Sequence, residues 1–363
     1  MAADKRRSQG KTTPRAPLVI AGVEVPPGER RTVQLSAPRQ LAHDSISMTV
    51  HVIHGRQDGP CMFVCAGIHG DELNGVETIR RLLERRTLGE LRGTLLAVPV
   101  VNVHGFMNGS RYLPDRRDLN RSFPGLEKGS LAARLAHLFA TEVVARSTHG
   151  IDLHTGSFGR SNLPQIRGDL DDPEVLRLAK AFRVPVVLHA RGPRGTLLDV
   201  TRPRKIPLIV FEGGEALRID ERPVQASLRG VLSVMRALDM IPPRRAPEAP
   251  FEPVVARVRK WVRAPESGLF LSSVALGDTV RSGEPLGRIV DPFSNAREEV
   301  HAPSAGVVVG MLRRPLVNEG DALVHLALSK VPEKIAKVVD RFGEYLASEI
   351  SYDDASADEG EVD

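Results

Sequence analysis

Short apolar runs that end in turns alternate with amphipathic helical patterns, and this alternation restricts the possible folds more than any other feature of the chain. "CMFVCAGIHG", Cys61 to Gly70, reads as a buried strand running into a turn, "NGVETIRRLLERR" as an amphipathic helix, and "GTLLAVPVVN" as a second buried strand. "SLAARLAHLFATEVVAR" reads as a further helix and "HGIDLHTG" as a strand. "VPVVLHA" and "IPLIVFEGG" follow as strands, with a helix near "VQASLRGVLSVMRALDM". Strands separated by helices in this order run mostly parallel and need cover on both faces. The expected fold class is therefore α/β, a mixed, mostly parallel sheet flanked by helices. In such sheets ligands bind beyond the carboxyl ends of the strands.

A chain of 363 residues exceeds what one hydrophobic core usually reaches, about 250 to 300 residues. The break is expected at "MIPPRRAPEAPFEP", where Pro242, Pro243, Pro247, Pro250 and Pro253 forbid regular structure. From Arg257 to about Ser329, glycine-punctuated segments with β-branched residues predict a smaller C-terminal all-β domain. "VPEKIAKVVDRFGEYLASEIS" predicts one amphipathic helix. The expected division is a disordered basic tail over 1–16, a catalytic domain over 17–245, a β domain over 246–330, and a helix with an acidic tail over 331–363.

Net charge is +5, and much of the asymmetry is terminal: Lys5, Arg6, Arg7, Lys11 and Arg15 at one end, "SYDDASADEGEVD" at the other. With no nucleic-acid motif beside them, such tails read as solvated, and a nucleic-acid partner is not expected. No apolar run is long enough for a membrane span, and "MAADKRRSQGKTTPRAP" lacks the apolar core of a signal peptide. Cys61 and Cys65 have a spacing that suits neither a disulfide nor a metal knuckle. A cytoplasmic location is the expectation.

In "VCAGIHGDELNG", His69 and Glu72 lie three residues apart at the end of a predicted strand. A hydrolytic zinc site needs three protein ligands and one open position, and a His and a Glu from one turn with a distant His is one standard solution. His154, in "GIDLHTGS", ends another apolar strand and supplies the third; Asp152 shares its face. Such a site also needs a group to carry a proton. Glu212, closing "IPLIVFE", is a carboxylate at the end of an apolar strand, costly there without a task or a partner. In "DRRDLNRSFPG", Asp118, Asn120 and Arg121 cluster after turn residues, and a guanidinium fork beside an amide suits a carboxylate on the substrate.

Taken together and in order, "GIHGDELNG", "DLNRSFPG", "IDLHTG" and "FEGG" resemble the succinylglutamate desuccinylase and aspartoacylase family, itself similar to the zinc carboxypeptidases. The resemblance runs from about Val50 to Met240. It implies one Zn2+ per chain on His69, Glu72 and His154, with Glu212 as general base and acid. It implies Asp118 holding a zinc histidine, and Asn120 and Arg121 gripping a substrate carboxylate. An arginine before D-x-N-R polarises the scissile carbonyl in relatives; Arg111 is the choice here, with Arg116 and Arg117 as rivals. Arg202 fits the spacing of a further substrate arginine, with Arg204 as rival. The aspartoacylase tyrosine from the C-terminal domain has no counterpart.

The second domain, with "GDTVRSGEPLG" and "APSAG", resembles the barrel-sandwich of biotinyl and lipoyl carriers, yet it has no lysine between Lys260 and Lys330 to modify. A role in shaping or screening the zinc cleft is expected. The function implied is a zinc-dependent amidohydrolase releasing the acyl group of a small N-acyl amino acid or N-acyl amine. A metallocarboxypeptidase acting on short peptides and a non-catalytic zinc-dependent binding protein are the alternatives. The expected partner is a small N-acylated molecule, and the pattern is compatible with a homo-oligomer.

Overall fold

The computed structural model describes residues 15–37, 46–243, 251–294, 296–329 and 331–358. Most of the expected basic tail, the last residues of the acidic tail and residues 244–250 of the proline-rich linker lie outside the described residues.

The centre of the molecule is a sheet in which Arg92–Val98, Gln57–Ala66, His149–Gly156 and Leu208–Glu215 run parallel in that spatial order. Along Gln57–Ala66 the side chains alternate between two covered faces. Met62, Val64 and Ala66 pack with Ile79 and Leu82 of helix Asn74–Leu83 and with Val231 and Val234 of helix Glu221–Ala237. Phe63 and Cys65 pack on the other side with Leu135 and Phe139 of helix Leu131–Glu142. A strand buried on both faces must be apolar at every position, which is why these segments read as continuous apolar runs. Ser47–His54 and Glu29–Ser36 extend one edge antiparallel.

At the other edge Arg160–Gly168 lies antiparallel to Leu208–Glu215. The apolar pattern does not announce this strand, because Asn162, Gln165 and Arg167 interrupt it. Its second side is shared: Gln165 to Gly168 pair in parallel with Val186–His189, and a strand from beyond the linker, Gly306–Leu312, takes the rest through Gly310 opposite Asn162, Met311 opposite Ser161 and Leu312 opposite Arg160. Ala322–Leu328 and Arg259–Arg263 follow outward, so a single 13-stranded sheet crosses from the N-terminal part of the chain into the C-terminal region. A second, four-stranded antiparallel sheet faces this extension over a core that includes Val262, Phe270, Leu286, Ile289 and Leu326. The fold is thus α/β with an additional antiparallel C-terminal β sandwich. Helix Pro332–Asp358 returns to the N-terminal part of the chain, where Phe342 and Leu346 join the main core.

Candidate active site

The candidate residues gather at the carboxyl ends of the parallel strands. The turn after Gln57–Ala66 carries His69 and Glu72. His154 lies near the end of His149–Gly156, in register with Glu212 on the neighbouring strand. The turn is tightly constrained. A Cβ on Gly70 would stand 2.0 Å from the Gly105 carbonyl carbon, so the chain can pass there only without a side chain. Asn74, buried at the start of the next helix, ties this turn to the one after Glu212. Its amide nitrogen donates to the Gly213 carbonyl at 3.1 Å and its oxygen accepts from the Asp220 N–H at 2.9 Å.

Glu72 sits between the two imidazoles. His69 Nδ1 is 2.7 Å from Glu72 Oε1 and His154 Nδ1 is 2.7 Å from Glu72 Oε2, which also accepts the Thr155 N–H at 3.0 Å. The far nitrogens face carboxylates: His69 Nε2 lies 3.2 Å from Asp118 Oδ1 and His154 Nε2 2.8 Å from Asp152 Oδ2. Burial alone would push His69 and His154 down, but the carboxylates around them outweigh it and hold both imidazoles above their ordinary range. Burial would likewise raise Glu72, and the two histidines overcome it, keeping the carboxyl well below the usual carboxylate range.

These residues fit a divalent cation. One donor atom from each of His69, Glu72 and His154 lies within 4.8 Å of the others, and all three residues are buried. The carboxylates of Glu72, Asp118 and Asp152 converge on the two imidazoles, a buried electronegative donor set in which a divalent cation would take the place of the imidazole protons. The carboxylates behind both histidines fix ring orientation, as is general around ligating imidazoles. Among the described residues a second group, Asp169, Asp171 and His189, has comparable spacing. There Arg191 and Arg257 occupy both oxygens of Asp171, making it an exposed ion-pair cluster.

The site opens into a cleft of about 260 Å³, lined by His69, Glu72 and His154 together with Arg111, Asn120, Arg121 and Glu212. Arg111 donates to Asp118 Oδ2 at 3.0 Å and reaches Glu72 Oε1 at 3.4 Å, whereas Arg116 and Arg117 are exposed. Asn120 has its amide oxygen committed to the Leu197 N–H at 3.1 Å. Arg121 hydrogen-bonds only a carbonyl, that of Asn120, among the described residues, leaving its fork available. Arg202 is not brought into the cleft: it opens a short 3₁₀ turn on the outer surface and pairs with Asp199 at 3.1 Å, and Arg204 caps the carbonyl of Val200.

Several cleft residues have no motif to mark them. Glu212 accepts from Arg167 Nη1 on Oε1 and from Asn162 Nδ2 on Oε2, both at 2.8 Å. Arg160 also lines the cleft, and Arg259 and Trp261 reach it from the C-terminal region. The signal that could have found Asn162 and Arg167 is the polar interruption of "RSNLPQIRG". Asp152 had a signal of its own, two residues before His154 on one strand face.

Residues 58–238 match the model of the succinylglutamate desuccinylase/aspartoacylase catalytic domain. The N-alpha-acetyl-L-2,4-diaminobutyric acid deacetylase of Halomonas elongata is 30% identical over 309 residues, 79% of this chain and 87% of the relative. Among solved structures, a succinylglutamate desuccinylase/aspartoacylase from Rhodobacter sphaeroides superposes with a TM-score of 0.74 at 26% identity, covering 82% of this chain and 95% of that one. The ectoine utilization protein EutE (DoeB) from Ruegeria pomeroyi shares the fold, with a TM-score of 0.74 at 22% identity over 83% of this chain and 95% of that one. Fold, motifs and relatives agree: the chain belongs to the succinylglutamate desuccinylase/aspartoacylase family of deacylases.

Proposed function

We propose that this protein hydrolyses the amide bond of a small N-acyl amino acid or related N-acyl amine, using one zinc ion per chain held by His69, Glu72 and His154. The observation that carries the reading is the convergence of two carboxylate-backed imidazoles on Glu72 in the cleft that Glu212 lines. Two imidazoles and one carboxylate form a ligand set typical of hydrolytic zinc. Zinc supplies Lewis acidity, lowering the pKa of water to about 7 and polarising a carbonyl. Glu212 takes the proton from the attacking water and returns it to the leaving amine. Arg111, close to Glu72, faces the acyl carbonyl, and Arg121 receives the α-carboxylate with its free fork. Asp118 keeps the His69 ring in place and orders the loop that carries Asn120 and Arg121.

The named relative deacetylates an α-N-acetylated amino acid, which supports the same substrate class here. The cleft volume suits a ligand of that size. Residues 17–245 carry the proposed metal ligands and proton carrier, and the C-terminal region closes one wall of the cleft. Free Cys61 and Cys65 accord with a cytoplasmic location. Among the described residues no helix is long and apolar enough to cross a membrane.

The test is turnover of acetyl, succinyl and formyl derivatives of amino acids and diamines, N-α-acetyl-2,4-diaminobutyrate included, by the full chain with zinc and after chelation. Hydrolysis that disappears on chelation and returns with zinc is expected, and Glu212→Gln should lower kcat by at least about 10². Activity indifferent to chelation, or a Glu212→Gln protein within a few-fold of wild type, contradicts the reading.

A further inference from the structure

We propose that Asn162 is a positioning residue for Glu212, and that Gly310, contributed from beyond the linker, keeps Asn162 in the orientation this requires. The inference rests on the assignment of Glu212 as the proton carrier. It adds how that carboxylate is held and why the C-terminal strands belong to the catalytic machinery.

Glu212 is gripped on both oxygens. Arg167 holds Oε1 at 2.8 Å, which by itself leaves the carboxylate free to turn about that contact. Asn162 Nδ2 holds Oε2 at 2.8 Å and so fixes the plane of the group. A proton carrier must present a lone pair in a defined direction both when it accepts and when it returns the proton, so the plane matters as much as the place. Asn162 is buried, and its other amide atom, Oδ1, faces Gly310 on the adjoining strand.

Gly310 sits in a row of paired residues running from the C-terminal region into the cleft. Trp261 lies opposite His325, His325 opposite Gly310, and Gly310 opposite Asn162. The indole and imidazole stack at 4.5 Å with 7° between their planes, so the outer part of the row is filled and rigid. A Cβ at position 310 would stand 2.7 Å from Asn162 Oδ1, 3.3 Å from the His325 Cβ and 3.7 Å from the Trp261 ring. The backbone of Gly310 lies outside the left-handed region, so alanine meets no conformational barrier there. Of the three neighbours, the end of the Asn162 side chain is the one that yields at little cost. The displacement would therefore fall on the amide that holds Glu212. Turning that amide over offers no escape, because it would set Oδ1 against the Glu212 oxygen. Glycine at 310 leaves the space in which this hydrogen bond is made.

The experiment compares full-length wild type, Asn162→Ala, Gly310→Ala and the double variant, all zinc-loaded, on the N-acyl amino acid turned over fastest in the substrate panel. Metal content and thermal midpoint are measured alongside. Loss of a hydrogen bond to a charged group predicts that each single variant loses about tenfold or more in kcat. KM and zinc content should stay close to wild type. In the Asn162→Ala background, adding Gly310→Ala should cost nothing further, since the side chain it displaces is gone. A crystal structure of Gly310→Ala should show the Asn162–Glu212 contact broken.

Additive losses, a lost fold in Gly310→Ala, or an intact contact with unchanged kcat would each overturn the proposal. Wild-type kcat in Asn162→Ala beside an inactive Glu212→Gln removes this inference alone. An active Glu212→Gln removes the reading beneath it, while the crystal structure still reports whether Gly310 governs Asn162.

Discussion

Asp152 shows what a single side chain contributes here. One oxygen lies 2.8 Å from His154 Nε2 and the other accepts the Cys65 thiol at 3.4 Å, so the carboxylate is fixed before it fixes the ring. Burial, reinforced by the Asp152 charge, pushes the Cys65 thiol up, so it remains a neutral donor. Asp152→Asn keeps the shape and removes the charge behind His154. The expected result is a fall of about 10- to 100-fold in metal affinity with little change in thermal stability, read by competition with a chelator. Undiminished affinity would show that the ring is held by packing. At this scale the sequence was legible wherever the constraint is local: the three-residue spacing of His69 and Glu72, and the strand ends that carry His154 and Glu212. Arg202 shows the limit, since a spacing counted back from Glu212 cannot reveal that the 3₁₀ turn directs the side chain to Asp199. Asn162 and Arg167 show only as a polar interruption whose purpose the sequence hides, because their partner, some 45 to 50 residues away, becomes their neighbour only through antiparallel pairing.

Among the elements, the Ala322–Leu328 strand carries an unusual burden. His325 is almost fully enclosed, its Nδ1 has no hydrogen-bond partner among the described residues, and it stacks on Trp261. Burial, with Arg167 and Arg259 nearby, pushes the imidazole down to about 3 from the ordinary 6.5. Between these values the unfolded chain takes up a proton that the folded one refuses. This contribution to stability is therefore intact above pH 6.5 and is lost as pH falls from 6.5 toward 3, at up to about 1.4 kcal/mol per pH unit. His325→Phe keeps a ring against Trp261 and cannot be charged. Denaturant unfolding from pH 7 to pH 5 should show the wild type losing stability relative to this variant, and parallel curves would exclude His325 as the source. The parallel strands and their covering helices could be read from apolar runs and amphipathic spacing. The Arg160–Gly168 strand could not, because its polar residues serve the cleft rather than the core.

For the molecule as a whole, the proline-rich segment suggests two separable units, whereas hydrogen bonding joins them through one sheet. Val254–Ala256 pairs with Val186–His189, and Gly306–Leu312 with Arg160–Gly168. Leu163, Val186 and Leu188 are covered by Ala256, Val307, Val309, Ala327 and Ile335. A chain ending at residue 245 would expose that apolar patch along an unpaired strand edge. It should aggregate or lose cooperative unfolding, as followed by size exclusion and circular dichroism. A monomeric fragment with full activity would show that the joint is dispensable. Linker composition reports where a chain can bend, but it is silent on which strand edges meet afterwards, and this is why the continuity escapes a reading of the sequence. The pairing of Gly310 with Asn162 also bears on how such a gene can diverge. A C-terminal half acquired by recombination would have to arrive with its hydrogen-bond register and its glycine already matched to the resident strand, so the two halves are expected to descend together rather than be exchanged as independent parts.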